Sequence, residues 1–294
     1  MTLAAPVSRV SVLACGARAL LIAGAAAALA SCSIFDDFNL FGGDKYKMVI
    51  EPDVPASKAY DQGLAQLANG APADAAKKFT DLGAKFPDSD WARKGLLMTT
   101  YAQYQAGDFD SAEASAERYV KLYPKSQEAA YALYLEASSY YRQIPDISRD
   151  QERAAKALAA FQQVIKDYPT SEYVEDSKYK IQVTSDQLAG KEMSIGRFYL
   201  NRRNYTAAIN RFRNVLTAYQ NTRHSEEALY RLVEAYLGLG ITDEAQTAAA
   251  VLGHNFPDGE WYKDAYNLLK TGGLSPKENQ QSWISKLYHS IVPS

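Results

Sequence analysis

An aromatic residue followed by proline recurs along this chain, at Phe86-Pro87, Tyr123-Pro124, Tyr168-Pro169 and Phe256-Pro257, and Tyr219-Gln220 stands where a fifth pair belongs. Successive sites are separated by 37, 45, 51 and 37 residues. Twelve positions before each stands an alanine (Ala75, Ala112, Ala157, Ala208, Ala245), and eight before stand Phe79, Ala116, Phe161, Phe212 and Ala249. Residues four apart share one face of a helix. Proline, which lacks an amide hydrogen and clashes with the preceding turn, ends that helix. The small residue lets a second helix come close, and the next one fills the space beside it. From residue 57 to 270 the apolar spacing is helical, alanine and leucine dominate, and no strand-like alternation survives. A chain repeated in this way folds as stacked helix pairs, because one pair alone cannot bury its apolar face.

The order of alanine, large or small apolar residue, then proline resembles the second helix of a tetratricopeptide repeat. That resemblance implies an all-α solenoid of about five helix pairs. First helices follow the pattern less evenly. Repeat four matches best, with Ile195-Gly196 and Tyr199 ahead of Ala208 and Phe212; repeat five supplies Leu232 and Tyr236; in repeat two, Tyr101 and Tyr104 sit one place out of register. The steps of 45 and 51 exceed the usual ~34 residues, so extra chain must be housed. One insertion lies at residues 143–150, where Ile144-Pro145 breaks the helix. The other reads as a helix from 171 to about 189 that runs almost directly into repeat four. Gln220, in place of proline, weakens the stop of the fourth repeat.

The amino terminus carries a different signal. Arg9 and Arg18 precede an unbroken apolar run from Ala19 to Ala30, and Leu29-Ala30-Ser31-Cys32 closes it. This is the charged start, apolar middle and small-residue end of an export signal, and the run is well short of the ~20 residues a spanning helix needs. Leu29-Ala30-Ser31-Cys32 resembles a bacterial lipobox, which implies cleavage before Cys32 and acylation of its sulfur and new amino group. The alternative is an ordinary secretory signal with an incidental thiol. Cys15 leaves with the signal, so the mature chain holds one cysteine and no internal disulfide, and a lone free thiol is a liability in an oxidising compartment. Ser33 after the cysteine resembles the sorting pattern for the outer membrane. The organisation read from the sequence is a signal peptide at 1–31, a lipidated tether at 32–56, the solenoid at 57–270 and a tail at 271–294. In the tail, Ser275-Pro276-Lys277-Glu278 reads as a capping box opening a short amphipathic helix through Trp283, Ile284, Leu287, Tyr288 and Ile291. Covering the last repeat is the favoured role for that helix.

Catalysis finds little support. His224, His254 and His289 are not spaced as metal pairs, and no nucleophile elbow or phosphate loop occurs. Gly238-Leu239-Gly240 lacks the third glycine of a nucleotide fingerprint and reads as a helix-to-helix turn. The expectation is no enzyme, no cofactor and no metal; a cell-wall hydrolase would at minimum need a glutamate of raised pKa in the groove. A net charge of −2 gives no argument for nucleic acid.

Interaction surfaces are better supplied. First helices of such solenoids line a long concave face, and here they carry Tyr60, Tyr101, Tyr104, Tyr131, Tyr134 and Tyr141. Tyrosine offers apolar area with a polar tip, which suits an extended peptide, although any single ring is more often packed between helices. Between Lys191 and Arg223, seven basic residues (Lys191, Arg197, Arg202, Arg203, Arg211, Arg213, Arg223) face Glu192 alone. A charge run is usually a solvated face, but arginine's planar fork suits carboxylate pairing at an interface.

The order of lipobox, five repeat units, Ser148-Arg149-Asp150-Gln151 before Ala157 and Phe161, Tyr168-Pro169-Thr170-Ser171-Glu172-Tyr173, Leu188-Ala189 with Glu192, and Phe198-Tyr199 leading to Tyr205-Thr206-Ala207-Ala208-Ile209-Asn210-Arg211-Phe212 is similar to the BamD family, the lipoprotein subunit of the outer-membrane β-barrel assembly machine. The tail after Thr271 is a departure from its shorter members. The resemblance implies a lipid-anchored scaffold on the periplasmic face of the outer membrane, with a BamA-like barrel subunit, accessory lipoproteins and unfolded outer-membrane proteins as partners. It implies that the carboxy-terminal half meets the barrel subunit, with Arg211 at the matching position of Asn210-Arg211, and that barrel substrates are contacted; the basic run adds Arg197 and Arg203 as expected contact residues, and the first-helix residues Tyr101, Tyr104 and Tyr134 are expected to line the groove for client. A solenoid adaptor for cell-wall synthesis is the alternative.

Overall fold

The structure, a computed structural model, describes residues 54–290. These residues form twelve helices and no strand. Five antiparallel pairs come first: α1 (Ala56–Ala68) with α2 (Pro72–Lys85), α3 (Asp90–Ala106) with α4 (Phe109–Leu122), α5 (Ala129–Arg142) with α6 (Glu152–Asp167), α7 (Val174–Asn201) with α8 (Tyr205–Ala218), and α9 (Ser225–Leu239) with α10 (Thr242–Asn255). Then α11 (Glu260–Thr271) packs on α9 and α10, and α12 (Trp283–His289) packs on α10. No helix among the described residues is long and apolar enough to cross a membrane. The five pairs and their junctions are those the repeated aromatic-proline sites mark.

Every second helix ends alike. Phe86, Tyr123, Tyr168, Tyr219 and Phe256 all leave helical geometry at φ between −130° and −135°, the shift a following proline enforces. Each then accepts a backbone hydrogen bond from the residue three further on, namely Ser89, Ser126, Ser171, Thr222 or Gly259, at 3.0–3.2 Å. In the fourth repeat the helix stops at the same place although Gln220 replaces proline. There the hydroxyls do the work: Thr222 Oγ1 donates to Tyr219 O at 2.7 Å and Ser225 Oγ to Gln220 O at 2.5 Å. Those bonds satisfy carbonyls that a helix end leaves open.

Packing between paired helices follows one rule. All five marker alanines are fully buried, as are Phe79, Ala116, Phe161, Phe212 and Ala249. A side chain on Gly63 would come within 2.5 Å of the Phe79 ring, and one on Gly196 within 2.4 Å of Phe212. Where the second helix carries Ala116 or Ala249, the same offset in the first helix is held by buried Thr100 or Val233. Ala137 clusters with Phe161 in the third repeat. A large ring on the second helix thus meets a glycine on the first in repeats one and four, and where the second helix carries alanine the first carries a bulkier, buried residue.

Successive first helices touch along the stack, α1 with α3, α3 with α5, α7 with α9 and α9 with α11. Successive second helices pack mainly through them, so the first helices make the inner layer. Between α5 and α7 the insertion intervenes. Its loop is organised by buried Gln151, whose Nε2 donates to Asp146 O at 3.0 Å and Arg149 O at 3.2 Å, and Ile147 seats against Gly190. The expected helix from 171 is continuous with the first helix of repeat four. A single 28-residue element, α7, runs through both.

The tail departs from its expected start. Residues 275–279 are extended, and α12 begins at Trp283, capped by Ser282 Oγ, which accepts from Ile284 N–H. The reason is non-local: Lys277 N–H donates to Gln246 O, Gln246 Nε2 to Ser275 O and Asn279 N–H to Thr247 Oγ1, so α10 holds the capping-box sequence straight. Ile284 is fully buried, and Trp283 Nε1 donates to Tyr236 Oη at 2.9 Å, which covers the end of the last repeat. Ile291 lies outside the described residues.

Replacing Gly196 by alanine tests the packing rule. The gain in helix propensity is about 1 kcal/mol, while overpacking against an immobile ring costs about 1–3 kcal/mol. Gly196→Ala is expected to lower the urea midpoint, and Gly196→Ala/Phe212→Leu to recover part of the loss; equal midpoints for wild type and single variant would contradict the rule.

Candidate partner-binding surfaces

Along the inner layer the tyrosines divide into two groups. Tyr60 is packed between Phe79 at 5.4 Å and Trp91 at 5.5 Å, and Tyr104 stands edge-on to Phe109 at 5.7 Å, so both serve helix contacts. Tyr101 instead joins a run of rings: Tyr131 at 6.4 Å, then Tyr173 at 5.2 Å, which stacks on Tyr134 at 4.9 Å. Of the three expected groove residues, Tyr101 and Tyr134 belong to this run, and Tyr104, edge-on to Phe109, lies close enough to Tyr131 to help raise its phenol pKa. Tyr173 was not among the first-helix tyrosines read from the sequence because it precedes α7, as its amino-terminal cap. Its sequence signal was its place beside the Tyr168-Pro169 turn.

The run ends in a charged clasp. Tyr134 Oη donates to Asp176 Oδ2 at 2.6 Å, Lys180 Nζ donates to Tyr134 Oη at 2.6 Å and pairs with Asp176, and the ammonium lies 4.8 Å from the Tyr134 ring centre. Burial by itself lowers the Lys180 pKa, but the hydrogen bonds to Asp176 and Tyr134 outweigh it, and the net shift is upward. Burial pushes the Tyr173 phenol up to about 12, helped by a hydrogen bond with Glu172. Burial raises the Tyr131 and Tyr134 phenols as well, so Tyr131, Tyr134 and Tyr173 stay neutral near physiological pH and offer hydroxyls beside apolar faces. Beyond the clasp, a cleft of about 460 Å³ opens between Tyr141, the insertion at Ile144, Pro145 and Ile147, and Val183 and Thr184 of α7.

A glutamate of raised pKa is present. Burial, with Glu117 and Glu113 nearby, pushes Glu136 up to about 7. It does not line the cleft. Tyr140, one turn on, donates to Glu113 at 2.5 Å, and Arg153 clamps Glu113 and Asp110 at 2.9 Å each, so Glu136 lies against α4 without a cation of its own among the described residues. No group of three or more metal-ligating side chains occurs among the described residues.

The arginines of repeat four are largely occupied. Arg197 donates to both carboxylate oxygens of Glu227 at 2.9 and 2.8 Å, tying α7 to α9. Arg211 reaches both oxygens of Glu192 at 3.3 Å, tying α8 to α7. Arg223 approaches Asp186 at 3.9 Å, and Arg213 lies over Trp283 at 4.7 Å. Arg203 alone of the three expected contact residues is exposed and free of an ion pair among the described residues. Cys32, the expected lipid-bearing residue, lies outside the described residues.

The sequence profile of the YfiO family, described as outer membrane lipoprotein, matches residues 52–269, which takes in all five helix pairs and nearly all of α11. The chain belongs to this family. Among its relatives, the outer membrane protein assembly factor BamD of Caulobacter vibrioides is 42% identical over 251 residues, covering 85% of this chain and 80% of the relative. The proteins of that name from Rickettsia prowazekii and Neisseria meningitidis are 41% and 33% identical over 216 and 227 residues, covering 74% of this chain and 86% and 85% of theirs. The matched region contains both the tyrosine run and the arginine repeat, and the family description associates the chain with the outer membrane.

Glu136 gives a pH test. Its folded pKa, about 7, lies above the ordinary 4.5, so the stability it supports is complete below pH ~4.5 and is lost as pH rises through 7. At about 1.4 kcal/mol per unit the loss is at most about 3.5 kcal/mol. Glu136→Gln is expected to raise the urea midpoint at pH 8 and to leave it unchanged at pH 4.5; the same change at both pH values would show that Glu136 does not titrate as stated.

Proposed function

We propose that the chain is a lipid-anchored, non-enzymatic scaffold on the periplasmic face of the outer membrane that serves the assembly and insertion of β-barrel proteins. The observation that carries this reading is the relationship to proteins named outer membrane protein assembly factors, at 42% identity over 85% of the chain. It also decides against the cell-wall adaptor left open by the sequence, since the relatives' name points to barrel assembly. Cys32 supplies the anchor: two or more acyl chains, at about 0.8 kcal/mol per buried methylene, hold a protein on a bilayer without a spanning helix.

In this reading the two surfaces have different partners. The run from Tyr101 to Tyr134 takes an extended stretch of unfolded outer-membrane protein. Its rings give apolar area, its hydroxyls reach backbone groups, and no deep enclosure must open for release. Ordering a disordered segment costs part of the gross interaction energy, so binding is modest and suits a protein that hands its cargo onward. The fourth repeat meets a BamA-like barrel subunit, with accessory lipoproteins completing the assembly. Arg197 and Arg211 shape that repeat from within, through Glu227 and Glu192, and Arg203 faces outward.

Two experiments test the parts. Cys32→Ser is expected to move the protein from the membrane fraction to the soluble periplasmic fraction with its helical circular dichroism intact; retention on the membrane would remove the anchor assignment. A photocrosslinker at position 101, 104 or 134 is expected to trap a peptide copied from a barrel's final strand, whereas one at position 60, packed between Phe79 and Trp91, traps several-fold less. Equal yields with a scrambled peptide would return the tyrosines to helix packing.

A further inference from the structure

Successive first helices pack on one another elsewhere in the stack, whereas the insertion parts α5 from α7 and leaves between them the cleft of about 460 Å³. A volume of that size falls in the range of ligand sites. Its walls are apolar. Tyr141 comes from the last turn of α5, Ile144, Pro145 and Ile147 from the insertion, and Val183 from α7, where it is 36% exposed. Thr184, fully buried, completes the lining on the α7 side.

A threonine inside a helix commonly donates to the carbonyl four residues back, as Thr80, Thr100, Thr217 and Thr247 do here at 2.8–3.0 Å. Thr184 does not. Its Oγ1 is buried and has no hydrogen-bond partner among the described residues, and an unmet buried hydroxyl is a cost. Threonine has two accessible χ1 wells in a helix, so this hydroxyl turns readily to a polar atom that enters the cleft. The neighbouring polar side chains are engaged with the loop itself. Gln187 Nε2 donates to Pro145 O at 3.2 Å and to Gln151 Oε1 at 3.3 Å, and Asp146 Oδ1 accepts from Ser148 N–H at 2.8 Å. Asp146 is the charged residue of the lining, so the cleft offers an anionic ligand no counter-charge.

The cleft continues the ring run. Lys180 Nζ lies 4.8 Å from the centre of the Tyr134 ring and 6.0 Å from that of Tyr141. Tyr134 and Tyr141 are two turns apart on α5, about 10 Å along its axis, a distance that about three residues of extended chain span. We infer that the cleft is an anchor site for one tyrosine side chain of the extended client, seated about three residues beyond the part of the chain that lies on Tyr134. Its ring fills the space between Ile144, Pro145 and Val183, and its phenol pairs with Thr184 Oγ1. The inference rests on the client reading of the ring run, which it deepens by naming the side chain the protein selects. Phenylalanine would fill the same walls and leave the Thr184 hydroxyl unmet, and a site built around a hydroxyl discriminates against the analogue lacking one. Serine would bring the hydroxyl without the apolar area.

The test is fluorescence anisotropy of the purified full chain with a labelled, tyrosine-containing peptide copied from a barrel's final strand, each tyrosine being replaced in turn by phenylalanine or alanine. At one position phenylalanine is expected to weaken binding about fivefold, and alanine more than that. Thr184→Val keeps the shape of the side chain and is expected to abolish the difference between tyrosine and phenylalanine at that position, with a melting temperature no lower than that of wild type. Val183→Asp, at a partly exposed site, is expected to weaken the tyrosine peptide about tenfold with the helical circular dichroism unchanged. A threonine that served packing alone would set no preference between two side chains of the peptide. If wild type binds every peptide equally and neither variant alters affinity, the cleft is not a site, and the client reading of the ring run stands. If Val183→Asp weakens binding while tyrosine and phenylalanine bind alike in wild type, the pairing with Thr184 and the selection of tyrosine fall. If wild type binds none of the peptides, the client reading fails and this inference fails with it.

Discussion

Between the two helices of each repeat there is room for one large side chain at the crossing, and the rest of the stack depends on how that room is shared. Phe79 and Phe212 take it from the second helix, against Gly63 and Gly196; Thr100 and Val233 take it from the first, opposite Ala116 and Ala249. Interiors packed to crystal-like density leave no slack for two large groups or for none. Because the crossing is fixed, so is the direction in which each first helix presents its inner face. Tyr101, Tyr131 and Tyr134 line up in consequence of that constraint, not through contacts of their own alone.

Charge is arranged on the same principle of internal use first. The basic excess between Lys191 and Arg223 is distributed by the fold: Glu192 and Glu227 draw Arg211 and Arg197 into half-buried ties between helices, and Trp283 draws Arg213 under the tail. Removing either carboxylate would strand a cation in a partly desolvated place, where the penalty exceeds what an exposed pair ever contributes.

Much of the fold could be read from the sequence because its determinants are local. Aromatic-proline pairs, alanines at fixed offsets and the Ile144-Pro145 break each act within one helix or turn, and the helix pairs follow. What could not be read depends on residues far apart in the chain. The capping-box sequence at Ser275 is straightened by Gln246 and Thr247, and the pairing of Arg197 with Glu227 spans thirty residues. Repeat two departs from the first-helix pattern in its tyrosines, Tyr101 and Tyr104, because the first helix there turns Tyr101 towards Tyr131 and Tyr104 towards Phe109. One signal was present and overlooked: the Ser, Thr or Gly three places after every aromatic stop. It emerges when the turns, and not the helices, are superposed.

The unbroken α7 bears on how the two surfaces relate. Tyr173, in the ring run, caps its first turn, and Phe198 and Arg202 stand at its last. At 1.5 Å per residue its 28 residues form a rod of about 42 Å with no hinge along its length. Such a rod acts as a lever: a tilt of about 5° at the tyrosine end carries the arginine end through roughly 4 Å, by simple geometry on that length. A displacement at the Tyr173 end is thus carried along one rigid arm to the turn that holds Phe198 and Arg202.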